Sequence, residues 1–301
     1  MAKVVIITGF TGSGKSGLAV EIAKQFNGEV ISCDSVQIYK RLDIGSAKIT
    51  PEEMQGIKHH LIDIIEPTQE YSVGQFVNDC DKAIKDIISR GKTPILVGGT
   101  GLYIKALMQG YDFSGTDKHS DFRQQQYDLA DKYDNEYVWN QLNKLAPDKA
   151  KSVHMNNLKR VIRYLEIETF GKEEKSTYSV LSDYDTLAVG IVVDREVIYD
   201  KINKRVDIMI EQGLEDEVKR LLNLGLGLDN NCLNTIGYRE MVQYLTGEIE
   251  YGKCVELIKQ HTRNYCKRQL TFMKTIPNLI LLNKEQAEQK IKEFLNDNIT
   301  K

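Results

Sequence analysis

The chain has 301 residues, 41% apolar and 28% charged, a balance that builds a substantial core and excludes a disordered tail protein. Its formal charge is −3, so a polyanionic partner must be held by a local basic patch rather than by the bulk field. Five scattered cysteines without a C-x-x-C pair fit a reducing compartment, and the adjacent His59 and His60 lack the helical spacing of a zinc site.

In chain order, residues 4–8 form an apolar, β-branched run that ends at Gly9, the mark of a strand entering a turn. The run is too short for a signal segment, and no later apolar run approaches a membrane span, so a cytoplasmic protein without a membrane contact is expected. Gly9-Phe10-Thr11-Gly12-Ser13-Gly14-Lys15-Ser16 then matches G-x-x-x-x-G-K-[ST], and residues 16–26 carry Leu18, Ala19, Ile22, Ala23 and Phe26 at helical spacing. A strand before and a helix after is the context a phosphate loop needs. The glycines let backbone N–H groups wrap an anion, the helix N-terminus and Lys15 add positive charge, and Ser16 offers a hydroxyl to Mg²⁺.

Residues 29–33 read as a second strand that delivers Asp34, and residues 77–89 as a helix with Ala83, Ile84, Ile87 and Ile88 on one face. A third strand, 93–97, runs into Gly98-Gly99-Thr100-Gly101, where nucleotide hydrolases would usually carry an acid for Mg²⁺. Ligands of open parallel sheets sit beyond the carboxyl ends of the strands, which predicts Asp34, Thr100 and the phosphate loop around one crevice.

From about 117 to 169 the pattern is helical without a convincing strand, and between 111 and 136 seven acids stand against three bases. Residues 171–185 are polar and irregular. A strand returns at 187–193, helices follow over 197–274, and a last strand is expected at 279–282. The fold class is α/β, a P-loop NTPase-like parallel sheet core with an inserted helical domain. The core is expected over 1–115 and 187–301, the latter with C-terminal helices, and the insertion over 116–186.

Two segments are basic and hold no acid: 149–163, with Lys149, Lys151, Lys159, Arg160 and Arg163, and 259–274, with Lys259, Arg263, Lys267, Arg268 and Lys274. Lys259, Arg263 and Lys267 recur every four residues as one helical stripe, leaving Ile258, Tyr265, Leu270 and Met273 to face the core. Single-sign stripes in an acidic chain favour a polyanion.

The series Asp34-Ser35-Val36-Gln37-Ile38-Tyr39, Gly98-Gly99-Thr100-Gly101-Leu102-Tyr103, Lys159-Arg160-Val161-Ile162-Arg163 with Leu165-Glu166, Arg205-Val206-Asp207, Glu217-Val218, Ile236-Gly237-Tyr238-Arg239-Glu240 and Lys267-Arg268-Gln269-Leu270-Thr271 runs in this order along nearly the whole chain. It resembles the tRNA dimethylallyltransferase (tRNA isopentenyltransferase) family. The phosphate loop departs from that family's usual Pro-Thr-Ala with Phe10-Thr11-Gly12. Phe272 stands where an indole is common and Tyr164 where alanine is common, both read as packing changes.

The resemblance implies that a dimethylallyl group passes from dimethylallyl diphosphate to the exocyclic N6 amine of the adenosine just 3′ of the anticodon. The enzyme would be a monomer holding a tRNA anticodon stem-loop with the target base flipped out. Asp34 is then the general base, and Thr100 orients the base or the bridging oxygen. Residues 9–16, with Lys15 and Mg²⁺ on Ser16, stabilise the leaving diphosphate. Asp34 as a Mg²⁺ ligand or helix cap, and Thr100 as simple turn chemistry, are the alternatives. The expected tRNA contacts are Asp34, Ser35, Val36, Gln37 and Thr100, then Lys159, Arg160, Val161, Ile162 and Arg163, then Arg263, Lys267 and Arg268. The resemblance alone adds Arg123 and Arg239. A small-metabolite kinase would share the phosphate loop but leaves the basic stripes and the glycine turn unexplained. A non-catalytic RNA-binding protein would make Asp34 dispensable. A relative that prenylates free adenine nucleotides would not need the basic segments.

Overall fold

The computed structural model describes residues 1–110, 119–171 and 179–297. The chain divides into two compact units, Met1–Gln109 with Tyr178–Lys301, and Gly110–Thr177. The sequence reading divided the chain at 116 and 186 instead. Residues 179–186 go with the first unit because the Ser179 hydroxyl donates to the Leu107 carbonyl at 2.7 Å and the Asp185 N–H to the Ala2 carbonyl at 3.0 Å. Of the expected acidic stretch and the expected irregular stretch, residues 111–118 and 172–178 lie outside the described residues.

The first unit begins with β1 (Lys3–Gly9), α1 (Lys15–Gln25), β2 (Gly28–Ser32), α2 (Pro51–Met54), β3 (His59–His60), α3 (Val73–Ser89), β4 (Thr93–Gly98) and α4 (Gly101–Gln109). The second unit supplies α5 (Ser120–Lys132), α6 (Asn135–Leu145), α7 (Pro147–Lys151) and α8 (Leu158–Phe170). The first then resumes with β5 (Asp185–Ile191), α9 (Arg195–Glu211), α10 (Leu214–Asn223), α11 (Tyr238–Leu245), α12 (Tyr251–Met273), β6 (Ile280–Leu282) and α13 (Lys284–Asn296). The strands form one parallel sheet in the order β3-β2-β4-β1-β5-β6.

The inner strands are continuous apolar runs rather than alternating ones because both faces of the sheet are covered. On one face Val5, Ile7, Val30, Ile95 and Val189 pack against Leu18, Ala19 and Ile22 of α1 and Ala287 and Ile291 of α13. Each fully buried aliphatic side chain contributes about 1.5–3 kcal/mol. α3 starts at Val73, ahead of the expected 77, because Ser72 and Gln75 form a capping box. The two histidines make the edge strand β3. His60 Nε2 lies 2.7 Å from the buried Glu29, which also accepts from Arg90 and Lys92, so the pair pins the sheet edge.

A second apolar cluster packs Ile38, Tyr39 and Leu42 against Leu214, Val218 and Leu221 of α10, Tyr238 and Met241 of α11, and Ile258 of α12. The helical unit has its own core of Val138, Leu142, Ala150, Val161, Ile162 and Leu165. Among the described residues no helix is long and apolar enough to cross a membrane.

Candidate active site

The phosphate loop joins β1 to α1 through two left-handed glycines, Gly12 at φ 82° and Gly14 at φ 85°, a backbone path that other residues adopt only with strain. Gly9 is needed for a different reason, since a Cβ there would lie 2.8 Å from Ser13 Oγ and 3.0 Å from the Ile191 carbonyl. Lys15 Nζ donates to the Phe10 carbonyl at 3.2 Å, folding the side chain back over the loop. Burial, joined by the positive charge of Arg205 and opposed by the negative charge of Asp34, brings its ammonium down to about 8. The buried Ser13 hydroxyl has no hydrogen-bond partner, and neither does Arg205 Nε. The Phe10 ring is buried with Ile198 and Ile202 of α9 and Cys266 and Met273 of α12, which leaves its backbone as the part that could meet a ligand in the loop.

Beyond β2, Asp34 Oδ1 accepts the N–H groups of Val36 at 2.9 Å and Gln37 at 3.2 Å. One oxygen thus caps the turn over 35–38, which fixes the carboxylate, while the other has no hydrogen-bond partner among the described residues. The Thr100 hydroxyl accepts the Ser35 N–H at 3.1 Å and lies 3.3 Å from Ser35 Oγ, and the Thr100 N–H donates to the Cys33 carbonyl at 3.3 Å. The glycine turn and the Asp34 turn are therefore stitched together, and this contact demands the glycine. A Cβ on Gly98 would sit 2.1 Å from the Cys33 carbonyl oxygen.

Two helices close the site with residues the sequence reading did not assign to it. α9 brings Arg205, whose charge bears on Lys15 and feels Asp34 in turn. α12 brings Tyr265, Gln269 and Phe272, one face at i, i+4 and i+7. Burial, with the Asp34 charge adding, pushes the Tyr265 phenol up to about 12. The buried Gln269 amide accepts the Thr11 N–H at 3.3 Å and donates to the Gly99 carbonyl at 3.1 Å, bridging the phosphate loop to the glycine turn. Phe272 lies on Gly101, where a Cβ would come within 2.3 Å of the ring. Gln269 carries a polar side chain in the apolar register of α12, and that is the one signal that marks it in the sequence.

The expected tRNA contacts separate into four groups. Lys159, Lys267 and Arg268 are exposed, and so is Arg160, which lies over the Tyr164 ring with its guanidinium on the hydroxyl at 2.9 Å. Val161 and Ile162 do not fit the expectation, because their side chains are buried in the helical unit's core. Arg123 and Arg163 both donate to the buried Glu166, at 2.8 and 2.7 Å. Arg239 donates to the buried Glu240 at 2.8 Å, and Arg263 to Asn203 of α9 at 2.6 Å. The stripe on α12 is not single-signed either, since Lys259 pairs with Asp207 of α9 at 2.6 Å. Ser35, Val36 and Gln37 are half-buried in the turn that Asp34 caps.

Comparison with known proteins matches residues 37–276 to the family described as IPP transferase. The tRNA dimethylallyltransferase of Thermoanaerobacter sp. (strain X514) is 46% identical over 279 residues, 90% of this chain and 89% of that one. The solved tRNA delta(2)-isopentenylpyrophosphate transferase of Staphylococcus epidermidis is 39% identical with a TM-score of 0.72, covering 98% of this chain and 99% of its own. A eukaryotic dimethylallyltransferase acting on tRNA is 32% identical with a TM-score of 0.81, over 100% of this chain and 80% of its own.

Proposed function

The chain belongs to the IPP transferase family, and from that premise we propose that it transfers the dimethylallyl group of dimethylallyl diphosphate to the N6 amine of the adenosine 3′ of the anticodon in tRNA. In this reading the diphosphate lies in the loop of residues 9–16, facing the charges of Lys15 and Arg205. The bond between the dimethylallyl C1 and the bridging oxygen breaks, and its electron pair leaves with the diphosphate. The N6 lone pair forms the new C–N bond, and the amine proton passes to the free oxygen of Asp34. Such an amine is a weak nucleophile, so a carboxylate that accepts its proton as the bond forms lowers the barrier. Thr100 acts by holding Ser35 and with it the Asp34 turn.

The donor set suits Mg²⁺. The exposed Ser16 hydroxyl at the start of α1 has no hydrogen-bond partner among the described residues, and no group of three His, Cys, Asp or Glu gathers there to hold a metal by protein alone. Mg²⁺ commonly takes one or two protein oxygens and completes its shell with substrate phosphates and water. When bound beside Ser16, it would offset charge on the departing diphosphate.

The basic residues left to meet tRNA are Lys159 and Arg160 in the helical unit and Lys267 and Arg268 in the other, whose positive groups have no carboxylate within ion-pair distance among the described residues. The observation that carries the reading is the junction of two machines at one sheet edge. A phosphate loop with a depressed lysine stands beside a capped carboxylate with one oxygen unbound. The test is to incubate the protein with labelled dimethylallyl diphosphate, Mg²⁺ and unmodified tRNA, and to locate the label by mass spectrometry of nucleosides. Label on a prenylated adenosine next to the anticodon is expected. Label that stays on the diphosphate would overturn the reading.

A further inference from the structure

Residues 43–47, between Leu42 and α2, hold no regular structure, yet four consecutive N–H groups there are taken by two side chains from distant helices. The buried carboxylate of Glu217 in α10 accepts from Asp43 at 2.9 Å, Ile44 at 2.9 Å and Gly45 at 3.1 Å. The Tyr238 hydroxyl of α11 donates to Glu217 Oε1 at 2.7 Å and accepts the Ser46 N–H at 3.2 Å. Gly45 lies flat on the Tyr238 ring, where a Cβ would come within 2.6 Å of two ring carbons. The loop is wrapped around an anion that the fold itself supplies.

The far side of this loop holds Gln37. Its Nε2 donates to the carbonyls of Ala47 at 3.1 Å and Ser46 at 3.4 Å. A carbonyl takes only a donor, so these two contacts fix which way the amide is turned. They consume its N–H groups and leave Oε1 without a hydrogen-bond partner among the described residues, an acceptor for an amine hydrogen. Gln37 stands in the turn that Asp34 caps, so the order of residues 43–47 decides which hydrogen-bonding face Gln37 presents beside Asp34.

We propose that Glu217 and Tyr238 are positioning residues, which hold loop 43–47 in the shape that keeps Gln37 turned as an acceptor toward the base. The inference rests on the transfer to adenosine proposed above. Glu217 and Tyr238 meet neither substrate, and their influence passes through Gln37, so they govern acceptance of tRNA and leave diphosphate binding alone.

The test uses the full-length protein with Tyr238→Phe, Glu217→Gln, Gln37→Ala and the double variant Tyr238→Phe with Gln37→Ala. Steady-state transfer gives KM for tRNA and kcat, and calorimetry gives the Kd for dimethylallyl diphosphate. Loss of the Tyr238 hydroxyl should raise KM for tRNA about tenfold, the scale of one or two hydrogen bonds. Kd for the diphosphate should stay within twofold. Glu217→Gln sets an amide N–H against backbone N–H groups and should raise KM further, and if it fails to fold, Tyr238→Phe carries the test. The double variant should match Gln37→Ala alone, because both substitutions remove one arrangement. An unchanged KM in folded Tyr238→Phe, or effects that add in full with Gln37→Ala, would overturn the inference while leaving the transferase reading intact. A wild-type protein that transfers no label to tRNA would overturn both.

Discussion

Raising the pH from 7 to 9 should strip the phosphate loop of its lysine charge. Burial, with Arg205 adding and Asp34 opposing, takes the Lys15 ammonium from 10.5 to about 8 in the free protein. A diphosphate in the loop supplies the missing counter-charge and draws the group back toward its ordinary value. Binding therefore takes up a proton wherever the free site has lost one. The sign follows: affinity is full below pH 8, falls as pH rises through 8, and levels off near 10.5. With those two values the free site is protonated to about 0.9 at pH 7 and about 0.1 at pH 9, and affinity drops about tenfold, or about 1.4 kcal/mol. The second ionisation of a phosphoryl group, near 6, is about nine-tenths complete at pH 7 and complete by pH 9, a change of about a tenth that does not mask the fall in affinity. Calorimetric titration with dimethylallyl diphosphate, in two buffers of different ionisation enthalpy, should read an uptake that grows from near zero at pH 7 to about 0.9 proton at pH 9. Lys15→Met should bind weakly at pH 7 and lose the pH dependence. Affinity constant within twofold from pH 7 to 9, or the same slope in Lys15→Met, would refute the assignment.

Asp34→Asn keeps the acceptor oxygen that caps Val36 and Gln37 but not the proton acceptor, so transfer should fall about a hundredfold or more in single-turnover assays with tRNA affinity retained. Restoration of rate by added Mg²⁺ would argue that the carboxylate holds metal instead. Lys267→Gln and Arg268→Gln should each flatten the logarithmic salt dependence of tRNA binding by about 0.9, measured by filter binding across a salt series. Gly98→Ala drives a methyl to within 2.1 Å of the Cys33 carbonyl oxygen and should destabilise the protein by about 3 kcal/mol, read from its urea midpoint.

What was legible in the sequence is what short-range physics writes there. The phosphate loop, the apolar strands and the helix behind them each depend on neighbours within a few residues, so residues 4–26 read directly as β1, loop and α1. Asp34 and Thr100 were assigned to one crevice from the rule for parallel sheets, and the hydrogen bond from the Ser35 N–H to Thr100 is the local form of that juxtaposition. The two-residue strand β3 escaped notice because an edge strand held by Glu29 needs no periodicity of its own. Arg205 and Gln269 escaped for the opposite reason. Each reaches the site from a helix more than a hundred and fifty residues after the phosphate loop, and no pattern along the chain encodes that approach. The basic stripes misled in part, since sequence shows that a segment lacks acids but not that Asp207 faces Lys259, or Glu168 faces Lys149, from another helix.

α12 gives the misread stripe its proper meaning. Its Arg263 and Lys259 are tied to α9 through Asn203 and Asp207, and α9 also carries Arg205. A turn further along, Tyr265, Gln269 and Phe272 meet the Asp34 charge, the two loops and Gly101. Lys267 and Arg268 are exposed between those anchors. A helix is stiff over a single turn, so a phosphate seated on Lys267 or Arg268 cannot shift that turn without straining the Gln269 bridge. Proposed tRNA contacts and the spacing between the phosphate loop and the glycine turn are thus properties of one rigid piece. Gln269→Leu keeps the size of the side chain and removes both bonds. It should leave the salt slope of tRNA binding intact while slowing transfer about tenfold, the consequence of freeing two hydrogen-bonded loops in a buried site. An unchanged transfer rate in that variant would show that the bridge holds the fold and has no part in aligning the two loops.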